Sequence, residues 1–264
     1  NGGTATSYFI GDFDGTRFIA NPAEQQWLDW GTDNYAFVTW DHAPGGPDKR
    51  LGIGWMSNWQ YAQAVPTESW RSAMTLPRVL TLQANQGEYS LNSSPVEALE
   101  GLRGERTDLG RLTIAKEQEI SGTFSPSQCE LLLHTDPEQT TAAIFGITLS
   151  TGKGDRLILG FDRENQQLWV DRRQSGPTGF SEDFFKGPHT APLEMEDLED
   201  LRIYLDVASL EVFAGQGALN FTEIFFPSAP FDTLTFWADE GEWVLGSGTI
   251  FALEGIWESP DNTE

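Results

Sequence analysis

A single cysteine, Cys129, stands among 264 residues, which excludes an intrachain disulfide and any CxxC metal site. In "SQCELLLHTD" it is expected to pack as a small apolar residue. Histidine is scarce too: His42, His134 and His189 are scattered without ligand spacing, which argues against a metal centre. Neither a phosphate-binding glycine loop nor a nucleophile elbow is present, so no cofactor is indicated. Basic residues number 16 against 40 acidic ones, a net charge of -24 that repels nucleic-acid phosphates and anionic membranes and leaves neutral or cationic partners. No apolar run approaches the roughly 20 residues needed to span a bilayer. The N-terminus, "NGGTATSYFIGDF", lacks a basic region followed by an apolar stretch, so a soluble, secreted chain with any leader already removed is expected. Two glycosylation acceptors, Asn92 in "NSS" and Asn220 in "NFT", fit that expectation.

What the chain has in quantity is alternation. "LRIYLDV" puts Leu201, Ile203, Leu205 and Val207 on one face, and "RLILGFD" does the same with Leu157, Leu159 and Phe161. Similar segments recur from "SYFIGDF" to "TLTFWA", mostly separated by Gly, Pro, Asn or Asp, so the class is all-β. One short helical turn is expected in the acidic "PLEMEDLEDL", whose cluster is read as a solvated face because it lacks the spacing of a calcium loop. A composition shift near residue 84 divides the chain into 1–84, about four strands rich in Trp and Gly, and 85–264, a two-sheet sandwich. Four strands match one blade of a β-propeller, which buries its faces only against neighbouring blades.

The run "GWMSNWQYA..VPT..WRSAMTLPR" resembles the closing segment of the catalytic propeller in family 32 glycoside hydrolases, the invertases, exo-inulinases and levanases. "YFIGDFDGTRF", "WLDWGTDNYA" and "LDVASLEVFAGQGALNFTEIFFP" extend the resemblance to both ends of the chain. It implies the last blade of a five-bladed β-propeller followed by a C-terminal β-sandwich, working on fructan or sucrose. It also implies retaining release of terminal fructose, which needs two carboxyl groups roughly 5 to 5.5 Å apart. The family's carboxylate motifs, Trp-Met-Asn-Asp-Pro-Asn-Gly, Arg-Asp-Pro and Glu-Cys, are absent here: residues 129–130 read "CE", and "TDP" at 135–137 lacks the arginine. No catalytic residue is therefore assigned, and an N-terminal catalytic propeller part is the expected partner, with the sandwich as a surface for homo-oligomers. The alternative is a noncatalytic fructan- or carbohydrate-binding sandwich.

The resemblance makes Trp59 a wall of the fructose pocket, since apolar sugar C–H faces pack on an indole; a core position is the other reading and is favoured for Trp55 and Trp70. Asp14 is either a substrate hydroxyl acceptor or the cap of the "DGT" turn, and Asp12 is read as structural. Tyr35 and Asn58 complete the candidate substrate contacts, although Asp33 with Tyr35 also reads as a hydrogen-bonded structural pair and Asn58 as a backbone contact. Arg71 and Arg78 are expected to tie the two parts together through carboxylates or carbonyls.

Overall fold

The computed structural model describes residues 4–20, 25–40, 49–85, 88–177 and 179–256, so His42 lies outside the described residues. As the alternation predicts, the fold is all-β with short 3-10 turns, one of them over Met195–Glu199 within the acidic run. That turn is not simply a solvated face, because Met195 and Leu198 enter the core.

Two short antiparallel pairs open the chain, Ser7–Tyr8 with Gln26–Trp27 and Gly11–Phe13 with Phe18–Ala20. An antiparallel sheet follows in the order Tyr35–Thr39, Arg50–Met56, Arg78–Asn85, Glu88–Pro95, with Ala73–Met74 also paired to Arg50–Met56. The last hairpin carries this sheet past the composition shift at 84 as far as Pro95.

The remainder is two antiparallel sheets face to face. One runs Arg103–Asp108, Trp243–Leu253, Cys129–Thr135, Leu201–Asp206, Ser209–Ala214, Leu219–Ile224; the other runs Glu117–Glu119, Thr233–Asp239, Ile144–Ser150, Arg156–Asp162, Gln167–Gln174, His189–Pro192. Period-two patterning drives this packing: Leu131, Leu133, Ile203 and Val212 of the first sheet meet Phe145, Ile147, Leu159 and Phe161 of the second in one core. Trp243 bridges the layers, its ring 5.1 Å from that of Phe145 and its indole N–H donating to Thr135 Oγ1 at 3.1 Å. Cys129 is fully buried in this core, and burial pushes its thiol up to about 12, where it is inert. Val207 breaks the expected face: the strand ends at Asp206 and Val207 is exposed in the turn.

Leu219–Ile224 is an edge strand, yet all of its residues are buried. The "DWGTD" segment caps it: Trp30 N–H donates to Asn220 O at 2.8 Å and Asp33 N–H to Thr222 O at 3.2 Å. In return, Thr222 N–H donates to Asp29 Oδ1 at 2.9 Å and Ile224 N–H to Asp33 Oδ2 at 3.0 Å. Two aspartates thus replace a neighbouring strand's carbonyls. Gly31 is required for the approach, because a Cβ there would sit 2.1 Å from Thr222 O.

Arg78 locks the junction, as expected. It is completely buried, with Nη1 2.9 Å from Asp29 Oδ2, Nη2 2.7 Å from Glu211 Oε2, and Nη2 donating to Thr222 Oγ1 at 2.6 Å. Arg71 departs from expectation: its guanidinium donates to the carbonyls of Gln63, Val65 and Thr67, stapling its own loop instead of the sandwich. Asn92 and Asn220 are both buried, and their amides donate inward to Gln216 O and to Leu28 O and Gly217 O.

Candidate functional site

The Arg50–Met56 strand ends in a tight turn that Asn58 builds. Asn58 is completely buried; its Nδ2 donates to Thr32 O at 2.9 Å and its Oδ1 accepts Gln60 N–H at 3.0 Å. Its carbonyl takes the N–H groups of Tyr61 and Ala62. Both ends of this amide are thus engaged within the chain, and Asn58 shapes the turn on which Trp59 stands.

Trp59 projects from the turn, 60% exposed, with its backbone N–H donating to Thr4 Oγ1 at 3.3 Å. One side of its indole is backed by Trp55 at 4.9 Å between ring centroids, and Tyr35 meets Trp55 edge-on at 6.3 Å. A ring supported from behind and open in front suits stacking on a sugar face. Tyr35 is half-buried, and the strand is irregular between it and Val38, with Ala36 at φ 49°. Such bulges re-aim side chains.

Asp14 is exposed and forms the turn cap, its Oδ1 accepting the N–H groups of Arg17 and Thr16 at 2.7 Å each. These backbone donors, Arg17 first, hold its carboxyl below the usual carboxylate range. Because the strand ends at Phe13, Asp12 and Asp14 do not share a strand face. Trp70 is 45% exposed and borders a cleft of about 230 Å³ between its loop and the sandwich, with Met56, Val207 and Phe226 among the other walls.

Under the Trp59 turn lies a buried ionic cluster. Arg172 Nη1 sits 2.5 Å from Asp33 Oδ2 and 2.8 Å from Glu223 Oε2, while its Nη2 donates to Tyr61 OH at 2.9 Å. Tyr61 OH donates to Asp33 Oδ1 at 2.5 Å, so the partner of Asp33 is Tyr61 and not Tyr35. His189 Nδ1 closes the group at 2.8 Å from Glu223 Oε1. Burial pushes Asp33 up despite Arg172. Burial would raise Glu223 as well, but Arg172 and His189 hold it below its ordinary value. Desolvation would lower His189, and the Glu223 carboxylate raises it instead. Thr32 and Tyr61, which belong to this cluster, flank the Trp59 turn, so the sandwich's Arg172 and Glu223 brace the exposed indole through two intermediaries.

Sequence reasoning missed Asp29, Arg172 and Glu223. Asp29 carried a signal as one of two aspartates four apart in "DWGTD", and Glu223 as an acid among Leu219, Phe221 and Ile224; Arg172 carried none. Each of the junction carboxylates Asp29, Asp33, Glu211 and Glu223 is buried against an arginine. A carboxylate so held cannot reach a sugar's anomeric carbon.

The family model "Glycosyl hydrolases family 32 N-terminal domain" matches residues 1–95, and "Glycosyl hydrolases family 32 C terminal" matches 98–252. A levanase of Bacillus subtilis (strain 168) is 38% identical over 262 residues, covering 97% of this chain and 39% of the levanase. An extracellular exo-inulinase of Aspergillus awamori is 31% identical over 239 residues, covering 86% of this chain and 44% of that protein. The crystal structure of exo-inulinase from Aspergillus awamori superposes with a TM-score of 0.83 at 28% identity, over 96% of this chain and 50% of that one. The chain thus spans half or less of the length of these relatives.

Proposed function

The chain belongs to glycosyl hydrolase family 32, and from that membership we propose that it is the C-terminal part of a retaining β-fructosidase releasing terminal fructose from inulin, levan or sucrose. In this reading residues 1–84, with the hairpin that continues to Pro95, form the final blade of a five-bladed propeller, and the sandwich follows. The nucleophile and acid/base lie on an N-terminal part, set roughly 5 to 5.5 Å apart for retention. This chain alone is inactive. It works outside the cell, as the Aspergillus relatives labelled extracellular do.

The observation that carries the reading is the apolar surface of the first forty residues. Phe9, Phe13, Phe18, Ile19, Val38 and Trp40 are each about half exposed or more, although the sandwich side of the same segment is sealed. A monomer seldom leaves so many large apolar side chains open on one short segment, and fully burying each contributes about 1.5–3 kcal/mol. Neighbouring blades supply such cover. Trp59 then forms a wall of the fructose pocket, Asp14 accepts a substrate hydroxyl with the oxygen left over from its cap, Tyr35 borders the same opening, and Asn58 serves binding by fixing Trp59.

The test is fructose release from inulin, levan and sucrose by this chain alone and by the chain co-expressed with an N-terminal part bearing the three carboxylate motifs. Release by the pair only, with β-fructose appearing first by NMR, is expected. Release by this chain alone, or none by the pair, overturns the reading.

A further inference from the structure

The outer face of the six-stranded sheet carries a row that the fructose pocket does not use. Across four strands the register reads Trp237, Gly146, Gly160, Trp169, each directly opposite the next. All four point away from the core, because their neighbours Phe236, Ala238, Phe145, Ile147, Leu159, Phe161, Leu168 and Val170 point into it. Gly160 makes room for the Trp169 indole, while a Cβ on Gly146 would meet the backbone of Leu159 and Gly160. A Cβ on Gly160 would lie 2.3 Å from the Trp169 ring, so that ring rests flat on bare backbone, and the ring centroids of Trp169 and Trp237 are 6.2 Å apart at 43°. Beside Trp237 an open recess of about 610 Å³ is lined by Lys116, Glu117, Ala238 and Asp239.

We propose that this Trp169–Trp237 row is a second carbohydrate-binding surface, which holds a fructan chain away from the pocket at Trp59. Adjoining rings laid on a sheet offer stacking area at little side-chain entropy cost, and the carboxylates of Glu117 and Asp239 stand where sugar hydroxyls need acceptors. The net charge of -24 opposes anionic polysaccharides and favours a neutral chain. That the neutral chain is a fructan rests on the proposed β-fructosidase function.

Affinity electrophoresis of the 264-residue chain through gels containing inulin or levan tests the proposal. Wild-type chain should be retarded, and Trp169→Ala and Trp237→Ala should each weaken binding about tenfold or more. Trp169→Phe, which keeps a ring over Gly160, should retain part of the affinity, and near-UV circular dichroism checks that each variant is folded. No retardation of the wild type, or equal retardation of folded Trp169→Ala, overturns the proposal. So does a change in sedimentation coefficient with Trp169→Ala in the absence of sugar, which would make the row a contact between copies. Fructan binding through this row without fructose release by the assembled enzyme would defeat the catalytic reading and leave the row standing.

Discussion

Replacing Arg78 by methionine removes the cation shared by Asp29 and Glu211 and leaves two carboxylates enclosed at the junction. Methionine fills most of the volume, so the dominant loss is electrostatic: an unpaired charge in the interior costs about 3–5 kcal/mol once its partner is gone. Burial already raises Glu211 above the ordinary glutamate value against the pull of Arg78, so in the variant it should take up a proton. Unfolding entropy of about 2.1 cal/mol/K per residue converts that loss to a fall in Tm of roughly 5–10 °C for a chain of this size. Thermal and urea unfolding measure it. Arg78→Lys separates charge from geometry, since it keeps the cation but cannot contact Asp29, Glu211 and Thr222 together, and it should fall between wild type and Arg78→Met. A loss below about 1 kcal/mol in Arg78→Met, a value typical of exposed pairs, would refute the claim that the network closes the junction.

Trp59→Ala in the assembled enzyme should lower kcat/KM for fructosides at least tenfold, about 1.4 kcal/mol of transition-state stabilisation; unchanged steady-state kinetics would remove Trp59 from the pocket. His189 is raised in the folded state, so its contact with Glu223 stabilises fully below its ordinary value of 6.5 and fades as pH rises through the raised value. Unfolding free energies of wild type and His189→Gln should therefore converge towards alkaline pH, and a gap that widens there would reverse the assignment. Gly31→Ala drives a methyl into Thr222 O, so a destabilisation of about 1–3 kcal/mol or more is expected in urea titrations. A neutral effect would mean that the "DWGTD" segment does not cap the edge strand as closely as described.

The sandwich strands with clean alternation were legible, because a half-buried strand states its two faces in its sequence: Cys129–Thr135, Arg156–Asp162 and Thr233–Asp239 lie where the pattern puts them. Trp243–Leu253 escaped, although it lies between two neighbours in its sheet, because Gly246 and Gly248 interrupt its apolar run. Glu88–Pro95 escaped because "EYSLNSSP" is polar and takes its strand character from the hairpin it closes. At the candidate site, Trp59 was singled out by its motif, and the structure leaves it 60% exposed. The buried role of Asn58 was not legible, since an asparagine next to an exposed tryptophan reads equally as a sugar contact and a backbone contact. Arg172 and Glu223 lie 51 residues apart, and pattern within a strand cannot announce a pair made across sheets.

The capped edge has a consequence for how such proteins can be divided and inherited. Cut at the border between the two family models, the C-terminal piece would carry Leu219–Ile224 with its backbone donors and acceptors open and its apolar side chains unclothed. A bare border of that kind recruits any passing strand, including that of a second molecule, and grows into insoluble material. The segment from Asp29 to Asp33 therefore acts as a resident chaperone for its own sandwich, and recombination that separated the two would deliver an aggregating product before it delivered a new specificity.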